Sequence, residues 1–315
     1  MSAIRFGLVL AGLALLAVLP IYGSPTVVQF GINVLMLAVL AQSWNIIGGY
    51  AGYASFGNSV FFGLGCYGVA IAMVKWQLPF AAGMVFGSVV AVIFAVLIGI
   101  LVLRLKGHYF AIATLALAQL MGAIISNIGL ADRAQGLVLS SFADDTLIYE
   151  LFLGLLVVVT LTVYWLTRSR FGFGLIAIRE NEEGAAVMGV NTTLYKVVAF
   201  ALSALFTSLA GGIYTYQITA IDPPTAFDIS YNVKMIIMAV FGGPGTVFGP
   251  IVGAFVLSLI SDILASEVTS VASLFFGVVV VAAVVLMPRG IADVIRQFGK
   301  TRWRYFVDNL KAHRV

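Results

Sequence analysis

The residues best suited to contact a partner in water lie in one charged stretch, Arg168 to Lys196, in an otherwise apolar chain. Its ionisable side chains are Arg168, Arg170, Arg179, Glu180, Glu182, Glu183 and Lys196. Apolar residues between them recur at the spacing of a short amphipathic helix, with Gly172 and Gly174 before it and Gly189 at its end. The pattern predicts a compact helical knob that docks on a second protein, and a solvated connector is the alternative.

Two motifs for nucleotide chemistry are incomplete. Gly63, Gly65 and Gly68 have the dinucleotide-binding spacing, but they lie inside an apolar run with no strand before it. Residues 299–301 read Gly-Lys-Thr, like the end of a phosphate-binding loop, but Val294 stands where that loop requires its first glycine. We therefore expect no ATP site, no bound cofactor and no catalytic residue, so that the chain is not itself an enzyme.

Asp, Glu, Lys and Arg are absent from the centres of the apolar runs, and His108, Lys234 and Asp262 all lie near segment ends. Ion-coupled carriers use such groups inside the membrane as proton relays or ion ligands, and channels with charged filters need them too. The sequence also contains no metal-ligand cluster. We interpret the chain as one that moves a solute with energy supplied by another subunit. An ion-coupled secondary carrier and a non-transporting scaffold are the alternatives.

Composition indicates a membrane protein, because 62% of the residues are hydrophobic and only 10% are charged, against about 25% charged in soluble domains. Most of the apolar segments are long enough to cross a hydrocarbon core of about 30 Å, although 231–241 is short. The sequence predicts an all-α, polytopic membrane protein with about ten transmembrane helices. The segments are about 5–22, 27–47, 57–74, 80–103, 108–127, 147–167, 197–218, 231–241, 246–263 and 271–287.

The basic residues predict the orientation of these crossings. With ten crossings and the N-terminus inside, all of the 17 Lys and Arg residues except Lys75, Arg133 and Lys234 lie in the cytoplasm, as the positive-inside rule favours. Joining 231–263 into one crossing would put the basic tail outside. The same rule explains the formal charge of +4, so we expect no nucleic-acid partner. The predicted cytoplasmic loop is 168–196, and the predicted cytoplasmic tail is 288–315. The predicted outer docking loop is roughly 128–146.

Two glycine-rich interruptions, 48–57 and 242–253, predict broken helices. Gly245, Gly249 and Gly253 are spaced by four, which would give one helix a smooth face for close backbone approach. Tight packing is one interpretation of these glycines, and a gate or a substrate contact is the other. The glycines concerned are Gly48, Gly49, Gly52, Gly242, Gly243, Gly245, Gly249 and Gly253.

Polar, uncharged residues within or near the apolar segments are candidates for a substrate path. A zwitterion needs polar walls without a fixed charge that would trap it. Hydrogen bonding between helices is the alternative role, worth about 0.6 kcal/mol on average in membranes. The candidates are Asn45, Ser55, Asn58, Thr114, Gln119, Tyr214 and Gln217.

Five stretches share features of one transporter family: 45–68, 105–119, 172–215, 241–254 and 287–293. The third contains the charged loop (GFGLIAIRENEEGAAVMGV), and the fourth reads FGGPGTVFGPIVGA. Together they resemble the permease subunits of branched-chain amino acid ABC transporters of the LivM-like type, over about residues 27–293. The chain departs from the family in its outer loop, which reads DRAQGLVLSS where a Gly-Gly-x-x-Gly pattern is common, and at Cys66, where alanine is expected.

The resemblance implies a type II-like importer permease of the bacterial cytoplasmic (inner) membrane, with residues 1–315 as a single transmembrane domain. It implies a second, homologous permease subunit, two cytosolic ATPases and an external, periplasmic solute-binding protein as partners. Branched-chain or other small amino acids are the expected substrates, and urea, short amides and aromatic acids are alternatives.

An ATPase cleft would then receive the short helix of the charged loop, whose expected apolar face is Ile178, Ala185 and Ala186, by helix-in-groove docking. The expected coupling residues are Arg179, Glu180, Asn181, Glu182, Glu183, Ala185, Ala186 and Gly189.

Overall fold

A computed structural model of the chain describes residues 19–20, 22–139, 144–218, 220–267 and 277. Its regular structure is almost entirely helical, as predicted. The helices are α1 (Pro25–Asn45), α2 (Asn58–Val74), α3 (Phe80–Val102), α4 (His108–Asn127), α5 (Asp145–Leu166), α6 (Arg170–Glu180), α7 (Glu182–Val187), α8 (Thr192–Ile218), α9 (Pro223–Ala226), α10 (Ile229–Gly242) and α11 (Gly249–Glu267).

Every predicted apolar segment from 27–47 to 246–263 coincides with one of these helices. Among the described residues, five helices are long and apolar enough to cross a membrane: Pro25–Tyr50, Phe80–Val102, His108–Asn127, Asp145–Leu166 and Thr192–Ile218. The helical membrane class is therefore confirmed, while the number of ten crossings stays a prediction. The expected first and last segments, 5–22 and 271–287, and the basic tail lie wholly or almost wholly outside the described residues.

Helix α1 is the centre of the bundle. Of the residues in its most apolar stretch, 83% are buried, because α5, α8, α10 and α11 pack around it. In the corresponding stretches of α3, α4 and α5, only 28%, 28% and 33% of the residues are buried. Helices that are apolar all round yet exposed on one side are typical of membrane spans, whose outer faces meet lipid or another subunit.

Small residues let α2, α3 and α8 pack closely. A Cβ added at Gly65 would overlap the backbone of Ser208, and one added at Gly68 would overlap the backbone of Gly87. A Cβ at Gly63 would overlap the ring of Phe227. The three glycines with dinucleotide-binding spacing are thus packing residues of a membrane helix.

The short segment 231–241 belongs to a helical hairpin. Gly242 lies against Gly249, and Gly253 lies against the carbonyl of Met238, so α10 and α11 run antiparallel side by side. With 14 residues, α10 is about 21 Å long at 1.5 Å per residue. Residues 231–263 therefore do not form one continuous helix.

Both glycine-rich interruptions differ in detail from the prediction. Gly48 and Gly49 do not break α1, which continues through them as a π-helical turn, Ile46–Tyr50. The chain leaves helical geometry only near Gly52, which has φ of +76°. In the second interruption Gly245 lies before α11 and not on it, so the expected face of three glycines on one helix is wrong.

The two ends of the bundle carry different structures. One end holds the predicted outer loop, where β1 (Leu137–Val138) pairs antiparallel with β2 (Ala220–Ile221), a short sheet that the all-α prediction omitted. There Lys75 forms a 2.7 Å salt bridge with Asp132. The other end holds α6 and α7, and there Lys106 forms a 3.0 Å salt bridge with Glu183. The predicted inner and outer loops thus lie at opposite ends of the bundle.

Candidate functional site

The charged stretch forms two short helices and not the single helix expected. α6 follows Ser169, whose Oγ accepts a hydrogen bond from the backbone N of Gly172 at 3.1 Å. α7 follows Asn181, whose Oδ1 accepts from the backbone N of Gly184 at 2.9 Å. Because an asparagine cap favours a helix start over helix continuation, it divides the stretch in two. Gly189, with φ of +87°, follows α7, as predicted.

Gly172 and Gly174 lie inside α6 and not before it, which corrects the expected helix start. α6 folds back against the end of α5, and a Cβ at Gly172 would overlap the carbonyl of Leu166. A Cβ at Gly174 would overlap the ring of Tyr195. The two glycines therefore let α6 pack closely against α5 and α8.

The apolar residues of α6 and α7 divide into an inner and an outer set. Ile178 and Ala185 are buried within the chain, so they are not free to contact a partner. Ala186 is exposed, and the side chains of Val187 and Met188 are 88% and 85% exposed. We call Ala186–Met188 the α7 tip. Such adjacent exposed apolar residues outside a membrane-length helix are typical of a contact surface.

An ion-pair network fixes α7 to the bundle. The side chain of Lys196 in α8 is only 5% exposed, and its ammonium donates to Glu182 Oε1 at 2.6 Å. It also donates to Tyr53 Oη at 3.0 Å and to the Leu103 carbonyl at 2.8 Å, which satisfies all three of its protons. Tyr53 Oη in turn donates to Glu182 Oε2 at 2.5 Å. Tyr53, Leu103, Glu182 and Lys196 thus connect four separate segments of the chain.

The electrostatics of this network favour the charged form of Glu182. Partial burial alone would raise the pKa of its carboxyl, but hydrogen bonds from Lys196 and Tyr53 and the charges of Lys196 and Lys106 outweigh burial and lower that pKa. Sequence reasoning placed Lys196 among the loop charges and missed its buried position. The network makes α7 a part of the bundle and not a loose connector.

Arg179 in α6 reaches both glycine-rich interruptions. Its Nη1 donates to the carbonyl of Gly49 at 3.0 Å, while its Nη2 lies 2.8 Å from Glu180 Oε1. A Cβ added at Gly52 or at Gly245 would lie 2.7 Å from the Arg179 side chain. The arginine therefore lies where α6, the end of α1 and the α10–α11 turn meet.

The two interruptions are joined to each other by side chains of α1. Asn45 Oδ1 accepts from the backbone N of Gly245 at 2.8 Å, and its Nδ2 donates to the Thr246 carbonyl at 2.9 Å. Gln42 Nε2 donates to the Val247 carbonyl at 2.8 Å. We call Gln42, Asn45 and residues 245–247 the latch, because they hold α1 to the α10–α11 turn at the α6–α7 end of the bundle.

Four of the seven path candidates are buried, and three of them hydrogen-bond backbone groups, while the fourth, Asn58, hydrogen-bonds a side chain. Asn45 belongs to the latch. Ser55 Oγ accepts from the backbone N of Gly57 at 3.2 Å, and Thr114 Oγ1 accepts from the backbone N of Phe56 at 3.0 Å. Asn58 Nδ2 donates to Ser203 Oγ at 2.8 Å.

Sequence reasoning did not single out Asn232, which has the same kind of role. Its Oδ1 accepts from the backbone N of Ser59 at 2.8 Å, and its Nδ2 donates to the Phe56 carbonyl at 2.6 Å. These bonds satisfy one backbone group of the non-helical segment between α1 and α2 and one of the first turn of α2, which cannot rely on water inside a membrane.

The remaining path candidates line cavities. Tyr214 and Gln217 lie in a cavity of about 490 Å³ between α1, α8, α10 and α11, which we call the distal cavity. Gln119 lies in a second cavity of about 410 Å³ between α4 and the residues around α9. The distal cavity is lined by Thr26, Gln29, Phe30, Asn33, Met36, Leu37, Tyr214, Gln217, Tyr231, Lys234 and Asp262.

The distal cavity and the latch lie at opposite ends of the same helices. On α1 the cavity is lined by residues from Thr26 to Leu37, whereas Gln42 and Asn45 of the latch lie at the other end. α1, α10 and α11 therefore separate around a cavity at one end and are held together at the end that carries α6 and α7.

Within the described residues, no group of three or more His, Cys, Asp and Glu side chains is placed to hold a metal ion. The buried polar side chains there act mainly as hydrogen-bond partners of backbone or of one another.

Comparison with known proteins identifies the family of the chain. The family described as "Branched-chain amino acid transport system / permease component" matches residues 26–284. The high-affinity branched-chain amino acid transport system permease proteins LivM of Salmonella typhimurium and Escherichia coli are each 24% identical, over 94% of this chain and 77% of theirs.

A shorter match, 34% identical over 35% of this chain and 33% of the relative, is to the autoinducer 2 import system permease protein LsrC of Salmonella choleraesuis. No solved structure shows a significant match. The match to residues 26–284 covers most of the chain, and the chain therefore belongs to the branched-chain amino acid permease family of ABC transporters.

Proposed function

We propose that this chain is one permease subunit of an ATP-driven importer and forms the solute path with a second, homologous permease subunit. Two cytosolic ATPases supply the energy, and an external solute-binding protein delivers the solute. The LivM relatives, which match 94% of this chain and belong to high-affinity branched-chain amino acid transport systems by name, support this assignment. We place the chain in the bacterial cytoplasmic membrane with α6, α7 and both termini on the cytoplasmic side.

The observation that carries the proposal is the position of Arg179 between α6 and the latch. Arg179 donates to the Gly49 carbonyl, and its side chain lies against Gly245 of the latch. The network of Glu182 and Lys196 reaches Tyr53, four residues after Gly49. α7 is tied to α8, and α6 is tied to the end of α1. A partner that moves the α7 tip would therefore also displace α8 and the end of α1. Small displacements at such a contact are amplified when packed helices have two arrangements.

The positions of the latch and the distal cavity support a direction of transport. The latch closes the path between α1 and the α10–α11 turn near the ATPase side. The distal cavity opens at the other end, where a solute-binding protein would dock against residues 128–139 and their neighbours. In this proposal the subunit is open outward and closed inward. ATPase closure then acts on α6 and α7, and release of the latch admits the solute to the cytoplasm.

We propose branched-chain or other small amino acids as the solutes. The names of the LivM relatives favour them, and the distal cavity combines polar and apolar walls. In this scheme the chain binds no nucleotide, and hydrolysis occurs on the partner ATPases.

Reconstituted vesicles provide the test. The chain, its paired permease, the two ATPases and the binding protein should take up L-leucine when ATP is supplied, with or without a proton or sodium gradient. Mutation of the phosphate-loop lysine in the ATPases should abolish this uptake. Uptake by the chain alone that follows an imposed ion gradient would overturn the proposal in favour of a secondary carrier.

A further inference from the structure

We propose that the distal cavity binds a small zwitterion with an apolar side chain, and that Lys234 binds its carboxylate while Asp262 binds its ammonium group. The inference rests on the proposed importer function and its amino-acid solutes, for which it specifies the cavity and the two residues that receive the solute. It adds two fixed charges to a path for which the sequence predicted only uncharged walls.

The first observation is a pair of opposite charges that face one cavity without neutralising each other. Lys234 lies on α10 and Asp262 on α11, and both line the cavity with exposed side chains. Neither takes part in any of the salt bridges between described residues. The ammonium of Lys234 lies 5.9 Å from the centre of the Tyr231 ring. A ligand that carries both charges can satisfy both side chains at once.

The second observation is a gradient of polarity along the cavity wall. Near the mouth, Gln217 Nε2 lies 3.3 Å from Gln29 Oε1, so amide groups of α8 and α1 line that part. Further along α1, the buried side chains of Met36 and Leu37 form an apolar floor. Thr26 and Leu37 are about 16 Å apart along the helix at 1.5 Å per residue. Amide groups for the polar part of a solute and an apolar floor for its aliphatic group match this gradient.

Size and position agree with a solute site. A cavity of about 490 Å³ falls within the range of roughly 300–1,000 Å³ that is typical of small-molecule sites. The latch closes the same helices at their other end, so a solute in the cavity would be held above a closed path. Because water screens exposed charges, Lys234 and Asp262 would bind the solute weakly enough to release it. The site would therefore receive the solute without trapping it.

The test is protection of a cysteine at the cavity mouth in membrane vesicles that carry the full-length chain. Thr26 is exposed and lines the cavity, so Thr26→Cys should react with N-ethylmaleimide, whereas the natural Cys66 is buried and should not. L-leucine should slow this reaction. Leucinamide, which lacks the carboxylate, and 4-methylpentanoate, which lacks the ammonium, should need about tenfold higher concentrations for the same protection.

Two charge-neutral variants assign the groups. In Asp262→Asn, L-leucine should protect no better than 4-methylpentanoate, because the partner of the ammonium is lost. In Lys234→Gln, it should protect no better than leucinamide. The matched controls are Glu150→Gln and Lys75→Gln, since both residues are charged and lie outside the cavity lining. In these variants L-leucine should still protect better than leucinamide and 4-methylpentanoate.

Three results would overturn the proposal: equal protection by all three compounds, no protection by any of them, or variants that weaken all three alike. Glycerophosphoethanolamine is the fourth probe, because a lipid head group is also zwitterionic. If it protects as well as L-leucine, the cavity binds lipid and not a solute. The labelling needs no ATP, so a failure of ATP-driven uptake with this pattern intact would overturn the importer function alone.

Discussion

Lys196 Nζ lies 2.6 Å from Glu182 Oε1, so an ammonium buried at the start of α8 is paired with the first residue of α7. The pair fixes the exposed α7 tip to the longest helix of the described chain, which continues to the distal cavity. A force on the tip is thereby carried into the bundle.

Lys196→Met should uncouple the transporter. The substitution leaves Glu182 half-buried without its cation, and loss of a hydrogen bond to a charged group costs about 1–3 kcal/mol. We expect membrane insertion to survive, ATP hydrolysis to continue and uptake to fall severalfold in reconstituted vesicles.

Lys106→Met is the matched control, because it breaks the exposed pair with Glu183, and exposed pairs contribute about 0–1 kcal/mol. Lys196→Met combined with Glu182→Gln should recover part of the lost thermal stability, since no unpaired charge remains. Equal uptake by the Lys196 and Lys106 variants would contradict a coupling role for the network.

Arg179→Lys should impair the response of ATP hydrolysis to loaded binding protein. The guanidinium contacts the Gly49 carbonyl and Glu180 at the same time, and a lysine ammonium cannot reproduce that fork. We expect a severalfold smaller stimulation at unchanged expression. Arg168→Lys is the control, because Arg168 lies outside α6 and stacks on Tyr164. If both variants keep the wild-type stimulation, Arg179 has no part in coupling.

Gly245→Ala should disturb the latch. Gly245 has φ of +73°, a conformation that costs a non-glycine residue about 1 kcal/mol or more, and its Cβ would lie 2.7 Å from Arg179 Nη1. We expect a lower melting temperature in detergent and weaker uptake. Gly154→Ala is the matched control, since no atom lies within 4 Å of its added Cβ, and it should leave both quantities unchanged. Unaltered melting and uptake in Gly245→Ala would contradict the description of the latch.

The predicted orientation can be checked with cysteines in intact cells. Asn127→Cys lies at the end of α4, beside the predicted outer loop, and should react with an impermeant maleimide from outside. Met188→Cys lies on the α7 tip and should react only after the cytoplasmic side is opened. The reverse pattern would invert the assignment of α6 and α7 to the ATPase side.

The helices could be predicted from the sequence because length and hydropathy are local properties. Every apolar segment within the described residues became a helix, and the charged stretch 168–196 was recognised from its composition. Helix boundaries were less predictable. Asn181 caps α7 and divides the expected helix, and Gly48 and Gly49 form a π-turn where a break was expected.

The contacts of the candidate site could not be predicted, because they join residues distant in sequence. Lys196 meets Tyr53 across 143 positions, and Asn45 meets Thr246 across 201. A polar residue in an apolar run is consistent with a path or with a helix contact, and only the fold separates the two. Asn45 and Asn58 donate hydrogen bonds to Thr246 and Ser203, respectively. Tyr214 and Gln217 instead line a cavity.

The most direct test of the whole account is whether nucleotide on the partner ATPases changes the latch. Val247 takes part in the latch through its backbone carbonyl, so Val247→Cys keeps that contact and places a thiol beside it. In the assembled transporter, its rate of maleimide labelling should differ severalfold between the nucleotide-free and the vanadate-trapped states. In the Lys196→Met background the difference should disappear although nucleotide still binds. The same labelling rate in both states of the otherwise unaltered chain would contradict the claim that the ATPases act on the latch through α6 and α7.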